Sequence, residues 1–405
     1  MRIDLLTREY PPEVYGGAGV HAAELTRAMR RLADVRVRCL GGPRDEPGTT
    51  AYRVPRDFRD ANPALGHLAA DLLMAADCAG ADVVHSHTWY ANAAGHTAAL
   101  LHGVPHVMTM HSLEPLRPWK AEQLGGGYAL SGWMERSAVA AADAVIAVSR
   151  AMRDDVLAVY PEVAPERVRV IHNGIDTAVH RPDASGDALR RFGLDPDLPI
   201  VLFVGRVTRQ KGLPHLLRAA FDIHPKAQLV LCCGQPDTPE IGAEVASLVN
   251  ELSAVREGVR RIDGMLPAAD LRQLLSSATV FVCPSLYEPM GIVNLEAMAC
   301  ATAVVATAVG GIPEVVEDGV TGLLVPYDRL PDGTGEPADP DRLAADLADA
   351  VNALLDDPAR AERFGRAGRE RAELLFSWDR VAERTLAVHQ GLIGGGNALT
   401  TALTR

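Results

Sequence analysis

Short apolar segments alternate with longer amphipathic ones twice along this chain, and that alternation restricts the folds open to it more than any other feature. Residues 3–6, 35–40, 82–85, 106–110, 144–148 and 168–171 read as strands, and residues 20–32, 63–79, 91–101 and 131–142 between them read as helices. A strand, helix, strand order needs crossover connections, which in turn imply a mostly parallel sheet. A second series follows at 200–204, 228–231, 259–263, 280–282, 303–306 and 322–325. The expected class is therefore α/β, with two doubly wound, Rossmann-like domains.

Length agrees, because 405 residues exceed one comfortable core and suit two domains of around 200 residues, each burying roughly 70% of its unfolded surface. The two series part within residues 173–182, where polar and turn residues collect and Pro182 stops any continuing helix. This gives an N-terminal domain over 1–175 and a second domain over 176–376. Residues 331–340 read as a loop insertion, 377–393 as a helix, and 394–405 as a glycine-rich, mobile tail.

A formal net charge of −12 argues against a nucleic-acid surface, since phosphate backbones repel such a field unless one patch is strongly basic. Arg30-Arg31 and the arginines of 366–371 read as solvated helix faces. Cys39, Cys78, Cys232, Cys233, Cys283 and Cys300 show no Cys-x-x-Cys spacing and fall mostly in apolar runs, as reduced cysteines do. No apolar stretch reaches 18 residues and the start of the chain enters a strand rather than a leader. The expectation is a cytoplasmic protein without a membrane span.

Two carboxylates carry the strongest chemical signal. In Pro-Ser-Leu-Tyr-Glu288-Pro-Met-Gly-Ile-Val-Asn-Leu-Glu296-Ala-Met, a strand leads into a turn at Pro289 and a helix expected over 290–301. Glu288 then stands at the helix mouth, with Glu296 about two turns on and about 80° around, so the pair could face a ligand roughly 10 to 12 Å long. Between them the amides of Met290 and Gly291 lie at a helix N-terminus, which suits phosphate or polarised hydroxyls. Singly, Glu288 reads more readily as a first-turn acid favoured by the helix dipole and Glu296 as part of a solvated face. Together they suit a polyol, phosphate and ribose in line, the outline of a nucleotide sugar.

Ligands of open α/β sheets lie beyond the carboxyl ends of the strands, and further signals fall there. Arg206 and Lys211, close after the strand at 200–204, converge on one diphosphate in the favoured reading and stabilise it as it departs; a basic solvated turn is the lesser alternative. The Asp-x-Asp pairs Asp195-Pro-Asp197 and Asp339-Pro-Asp341 read as turns, so no metal site and no cofactor are assigned. Gly16 and Gly17 precede a helix beginning near Val20 and let backbone approach a donor. His111 follows a strand end, as do His85 and His87, for which polar strand ends are the simpler account; no third ligand near His85-Ser-His87 supports a metal. Arg117, Trp119 and Lys120 with Gly125-Gly126-Gly127 could admit a phosphorylated acceptor, or form an exposed lid.

These motifs, Glu13-Val-Tyr-Gly16-Gly17-Ala-Gly19, His111, Gly205-Arg206-Val-Thr-Arg-Gln-Lys211-Gly212, the double-glutamate segment and Gly310-Gly311-Ile-Pro-Glu314, occur in an order that resembles the retaining nucleotide-sugar glycosyltransferases of the GT-B fold, family 4. The resemblance spans nearly the whole chain and is greatest to the bacterial glycogen synthase branch, including the α-maltose-1-phosphate synthases. It implies two domains facing a central cleft, with the last helix returning to the first domain. It also implies glucosyl transfer from ADP-glucose to glucose 1-phosphate or to α-glucan ends. His111 would contact the sugar's 6-hydroxyl, Glu288 its 3-hydroxyl, Arg206 and Lys211 the diphosphate, and Glu296 the ribose. Met265 and Leu266 would line the base, and Glu13, Arg117 and Lys120 the acceptor. A homodimer is allowed. The other readings are a different sugar or acceptor, such as mannosyl transfer, a nucleotide-sugar epimerase, and a binding module without activity.

Overall fold

The computed structural model describes residues 1–117, 120–264 and 266–400, with backbone alone at 122–123 and 395–400. The chain divides into two compact units, Met1–Gly174 with the segment from Trp378 onward, and Ile175–Ser377.

In the first unit, β1 (Arg2–Thr7), β2 (Asp34–Leu40), β3 (Thr49–Tyr52), β4 (Val83–His87), β5 (His106–Met110), β6 (Ala144–Ala147) and β7 (Val168–Val170) form one parallel sheet. Their order is β3-β2-β1-β4-β5-β6-β7. Both faces of this sheet are covered, so its central strands β4, β5 and β6 are buried along their whole length, whereas β2 alternates exposed Asp34 and Arg36 with buried Val35 and Val37. Ile3, Leu5, Val35 and Val37 pack on one side with Leu25 and Met29 of helix Gly17–Met29. Leu6 and Val84 pack on the other with Met74 of helix Pro63–Asp77 and Ala94 of helix Trp89–His102. Each such Leu or Val contributes about 1.5–3 kcal/mol. The edge strand β3 escapes sequence reading because four residues carry no usable period.

The C-terminal helix belongs to this unit. Trp378, Val381 and Ala382 join the core beside helix Gly17–Met29. Gly174 makes room, since a Cβ there would lie 2.6 Å from the Trp378 ring. The helix spans Trp378–Thr400 and so passes residue 394, where the sequence reading began a mobile tail. Glycine lowers helix stability by about 1 kcal/mol relative to alanine without forbidding the conformation. Residues 401–405 lie outside the described residues.

The second unit holds β8 (Ile200–Val207), β9 (Gln228–Pro236), β10 (Val259–Asp263), β11 (Val280–Cys283), β12 (Ala303–Thr307) and β13 (Gly322–Val325). Their parallel order is β10-β9-β8-β11-β12-β13. Helices Pro340–Leu355 and Pro358–Leu375 follow, each with proline at its start and an aspartate cap: Asp339 accepts from the Arg342 amide and Asp357 from the Arg360 amide, both at 2.9 Å. Arginines in the 366–371 group do more than coat a solvated face. Arg371 donates to the carbonyls of Val315 (2.9 Å) and Glu314 (3.1 Å), and Arg369 to that of Ala299, lashing helix Pro358–Leu375 to its neighbours. Among the described residues no helix is long and apolar enough to cross a membrane.

Strand order reverses between β1 and β4 in one sheet and between β8 and β11 in the other. Crevices beyond the carboxyl ends at such points are where doubly wound sheets bind ligands.

Candidate active site

In the second unit the chain leaves β8 through Arg206 and turns at Arg209–Lys211, capped by Thr208 Oγ1, which accepts from the Lys211 amide at 3.3 Å. Gly212 has φ +62°, and a Cβ on it would lie 1.9 Å from the Pro284 carbonyl oxygen. Only glycine permits that approach. The turn thus closes on the loop after β11 and brings Lys211 Nζ to 2.5 Å from Glu288 Oε2.

Glu288 is held from three directions. Ser285 Oγ donates to the same Oε2 at 3.2 Å, while Thr307 Oγ1, at the end of β12, donates to the Ser285 carbonyl at 2.5 Å. The Gly311 amide donates to the Glu288 carbonyl at 2.9 Å, and a Cβ on Gly310 would lie 2.1 Å from that carbonyl. The Gly310-Gly311 motif is therefore the floor under Glu288. Sequence reading did not pick out Ser285 or Thr307.

The helix expected from Met290 instead begins at Ile292 and ends at Ala299, because Gly291 turns the chain at φ +88°. Glu288 consequently lies in the preceding loop rather than in a first turn. Glu296 is half-buried within the helix, and burial raises its carboxyl to about 7 although Lys211 opposes the shift. Burial also works against the charge on Lys211, but the carboxylate of Glu288 outweighs it and the ammonium titrates above its ordinary range. Asn294 is fully buried with neither side-chain amide atom hydrogen-bonded.

Arg206 Nη1 stands 3.3 Å from both carboxylate oxygens of Asp237, an acid just past the end of β9 that the sequence reading overlooked. Its position after a strand was the available signal. Leu266 is half-buried on the loop before helix Ala268–Ser277, and Met265 lies outside the described residues.

The first unit gathers a different set. Helix Gly17–Met29 starts three residues before Val20, and Glu9 Oε2 accepts from the amides of Tyr15 (2.7 Å) and Gly16 (2.8 Å). The glycine loop is thus wrapped around Glu9. Glu13 accepts from the Gly42 amide at 3.1 Å and from Arg44 Nη1 at 3.2 Å, bonds that lower its pKa. A cavity of about 510 Å³ opens beside it, lined by Arg8, Tyr15, Tyr52, Arg53 and His67. Arg117 donates to Ser112 Oγ at 3.0 Å and to Glu114 Oε1 at 3.3 Å, so its own loop holds it. Lys120 opens the short helix Lys120–Leu124, and Trp119 lies outside the described residues.

Behind these loops lies a group of histidines. His85 and His87 stand within β4, fully buried, rather than past its end. His111 Nε2 is 3.1 Å from His87 Nδ1, and the His21 ring meets the His111 ring edge-on with centroids 4.6 Å apart. His21 Nδ1 is 2.7 Å from Asn173 Oδ1. Desolvation depresses all of them, His21 to about 4 and His85, His87 and His111 well below the ordinary value. At neutral pH these are uncharged imidazoles, each with one donor and one acceptor nitrogen. His21 and Asn173 join His111 from distant segments, which no local spacing could signal.

Known proteins resemble this arrangement along the whole chain. The profile for Glycosyltransferase Family 4 matches residues 15–179, and that for Glycosyl transferases group 1 matches residues 187–371. The alpha-maltose-1-phosphate synthase of Mycolicibacterium smegmatis is 58% identical over 393 residues, covering 96% of this chain and 99% of that protein. The glycogen synthase of Mycobacterium tuberculosis is 32% identical over 427 residues, covering 96% and 94%. Among solved structures, sucrose-phosphate synthase from Thermosynechococcus elongatus superposes with a TM-score of 0.78 at 27% identity over 97% of this chain and 99% of that one. Anabaena HepE in complex with UDP and glucose gives 0.75 at 21% identity over 95% and 98%, which bears on the fold alone. With both halves matched by glycosyltransferase profiles and a relative so similar end to end, this chain belongs to the family 4 glycosyltransferases and has the GT-B fold.

Proposed function

We propose that this enzyme transfers the glucosyl unit of ADP-glucose to glucose 1-phosphate, with retention at the anomeric carbon, giving α-maltose 1-phosphate and ADP. The observation that carries the reading is the 58% identity to a protein named alpha-maltose-1-phosphate synthase, against 32% to one named glycogen synthase. In this scheme an acceptor hydroxyl oxygen bonds to the anomeric carbon as the bond from that carbon to the diphosphate breaks. The hydroxyl proton passes to the departing phosphate oxygen on the same face.

The protein's contribution is then electrostatic. Arg206 and Lys211 offset the charge growing on the diphosphate, which makes a metal unnecessary. Glu288, Met290 and Gly291 hold the sugar hydroxyls, Glu296 the ribose, Met265 and Leu266 the base, His111 the 6-hydroxyl, and Gly16 and Gly17 approach the donor. For the acceptor, Glu13, Arg117 and Lys120 remain assigned, with Arg117 anchored by Glu114. Every substrate is a water-soluble phosphate, so the reaction belongs in the cytoplasm. Elongation of α-glucan ends is the second reading, supported by the more distant glycogen synthase.

A matrix of ADP-glucose and UDP-glucose against glucose 1-phosphate and glycogen tests both. ADP release with a disaccharide phosphate product is expected. Turnover with glycogen alone would replace the acceptor, and isomerised donor without any acceptor would mark an epimerase.

A further inference from the structure

The cavity of about 510 Å³ in the first unit is walled by residues that directly follow three adjacent strands, Arg8 after β1, Gly41 after β2 and Arg53 after β3. We propose that Arg8 and Arg53 bind the phosphate of a sugar phosphate acceptor in this cavity, and that they select such an acceptor over a glucan end, which carries no phosphate. The inference rests on the glucosyl-transfer reading for the identity of the ligand, and adds two arginines to the acceptor residues named there.

Unpaired cations supply the first argument. Arg8 is half-buried, yet among the described residues its guanidinium has neither a carboxylate partner nor a hydrogen bond. It rests instead on a ring: Arg8 Cζ lies 4.1 Å from the centroid of Tyr90. The His67 ring meets Tyr90 edge-on, with centroids 5.0 Å apart, and braces it. Stacking orients a guanidinium while leaving its in-plane N–H donors available for a planar fork of oxygens. A cation withdrawn from water without an anion is unfavourable, and a phosphate would remove that cost. Arg53 is exposed and also without an ion pair among the described residues. Its charge still reaches Glu13, whose carboxyl is held low first by the Gly42 amide and further by the arginines.

The acids of the same cavity supply the second. Glu9 and Glu13 would repel a phosphate if bare, but each is engaged already. Glu9 Oε2 accepts from the amides of Tyr15 and Gly16, and Glu13 Oε1 from the Gly42 amide and Arg44. With Arg44 counted beside Arg8 and Arg53, the arginines outnumber the two glutamates. Glu9 Oε1 and Glu13 Oε2 take no part in those bonds and can accept from sugar hydroxyls. Backbone places the latter oxygen, since a Cβ on Gly41, at φ +115°, would lie 2.2 Å from it.

Guanidiniums for an anion and carboxylate oxygens for hydroxyls are the complement of a phosphate joined to a polyol. The volume falls within the roughly 300–1,000 Å³ usual for sites that hold small ligands.

Kinetics of the full chain with glucose 1-phosphate varied at saturating ADP-glucose read the site. Arg8→Gln should raise the KM for glucose 1-phosphate roughly 10–100-fold and Arg53→Gln roughly 3–10-fold, with kcat and donor KM within about twofold of the parent. Arg8→Lys should recover part of the loss, since a point charge replaces the fork incompletely. Arg56→Gln, the same charge change at an exposed residue outside the cavity, should behave as the parent does. Calorimetric titration with glucose 1-phosphate and with glucose, in the presence of ADP, measures binding whether or not transfer follows. The phosphate ester should bind more weakly to both glutamine variants, and glucose equally to all. Should Arg8→Gln not fold, Arg53→Gln and Arg8→Lys carry the test. Parental KM and affinity in these variants, or losses confined to kcat or donor KM, would overturn the site while the parent's product still upheld the reaction. Binding that depends on both arginines in a parent making no disaccharide phosphate would support the site and overturn the reaction.

Discussion

Lys211 Nζ and Glu288 Oε2 sit 2.5 Å apart, joining two loops whose residues are separated by 77 positions. Both side chains are largely withdrawn from water, with 18% and 9% of their surfaces exposed. Glu288 therefore favours the charged form of Lys211, and either residue left alone would be a largely buried polar group without its partner. The lysine pKa is raised, so the pair's contribution is complete below the ordinary lysine value of about 10.4 and fades only as pH climbs through the higher folded value.

Lys211→Ala is expected to lower stability by about 3–5 kcal/mol, the usual result of breaking a buried pair from one side. Turnover should fall roughly a hundredfold or more, as it does when a preorganised charge stabiliser is lost. The double variant Lys211→Met with Glu288→Gln should regain much of the stability and none of the turnover. Urea denaturation and saturating-donor kinetics measure the two effects; near-normal turnover in Lys211→Ala would refute the leaving-group role.

Glu296 gives a pH dependence with a definite sign. Its carboxyl is raised to about 7, so it gains its charge as pH rises through neutrality. A charged acceptor binds a ribose hydroxyl about 1 kcal/mol better than a neutral one. Donor KM should fall roughly three- to fourfold between about pH 6 and 8, and Glu296→Gln should flatten that change. A parent KM that is level across neutrality would remove Glu296 from the ribose.

Glu135 makes a structural counterpart in the first unit. It accepts from the Glu114 amide at 2.9 Å and from the Tyr160 hydroxyl at 2.6 Å, and burial together with the Glu114 charge raises it to about 8. Because the folded value exceeds the ordinary one, ionisation destabilises the fold: the cost starts above about pH 4.5 and is complete above about 8. Glu135→Gln, which stays neutral, should lose less thermal stability than the parent from pH 5 to 9. Parallel melting curves across that range would contradict the assignment.

Two glycines set the loops under the ion pair. Gly212→Ala and Gly310→Ala each place a Cβ about 2 Å from a carbonyl oxygen, that of Pro284 or of Glu288, at positive φ. Each should cost more than the roughly 1–2 kcal/mol of a left-handed non-glycine residue, and activity should fall because Lys211 and Glu288 are displaced. Gly103→Ala shares the positive φ but meets nothing within 4 Å, so it should cost only the backbone term. Equal losses in all three variants would show that packing contributes nothing.

Much of the fold was legible in the sequence because its signals are local. Among the described residues, twelve of the thirteen strands announce themselves as short apolar runs, and β3, four residues at a sheet edge, does not. Helix starts were read less well, since Gly291 and Gly16 set them by backbone angle and cap geometry rather than by hydrophobic period. Arg369 and Arg371 of helix Pro358–Leu375 looked solvated because their acceptors are carbonyls from other segments.

For this protein, the residue order alone determined the α/β class, the two strand series and the chemistry gathered past the strand ends, because period, turn residues and charge act over a few positions. Tertiary structure alone decided that Lys211 meets Glu288, that Asp237 takes Arg206, and that His21 and Asn173 close on His111. Those partners come from segments tens of residues apart, and their meeting depends on strand order and on glycines that let two backbones touch.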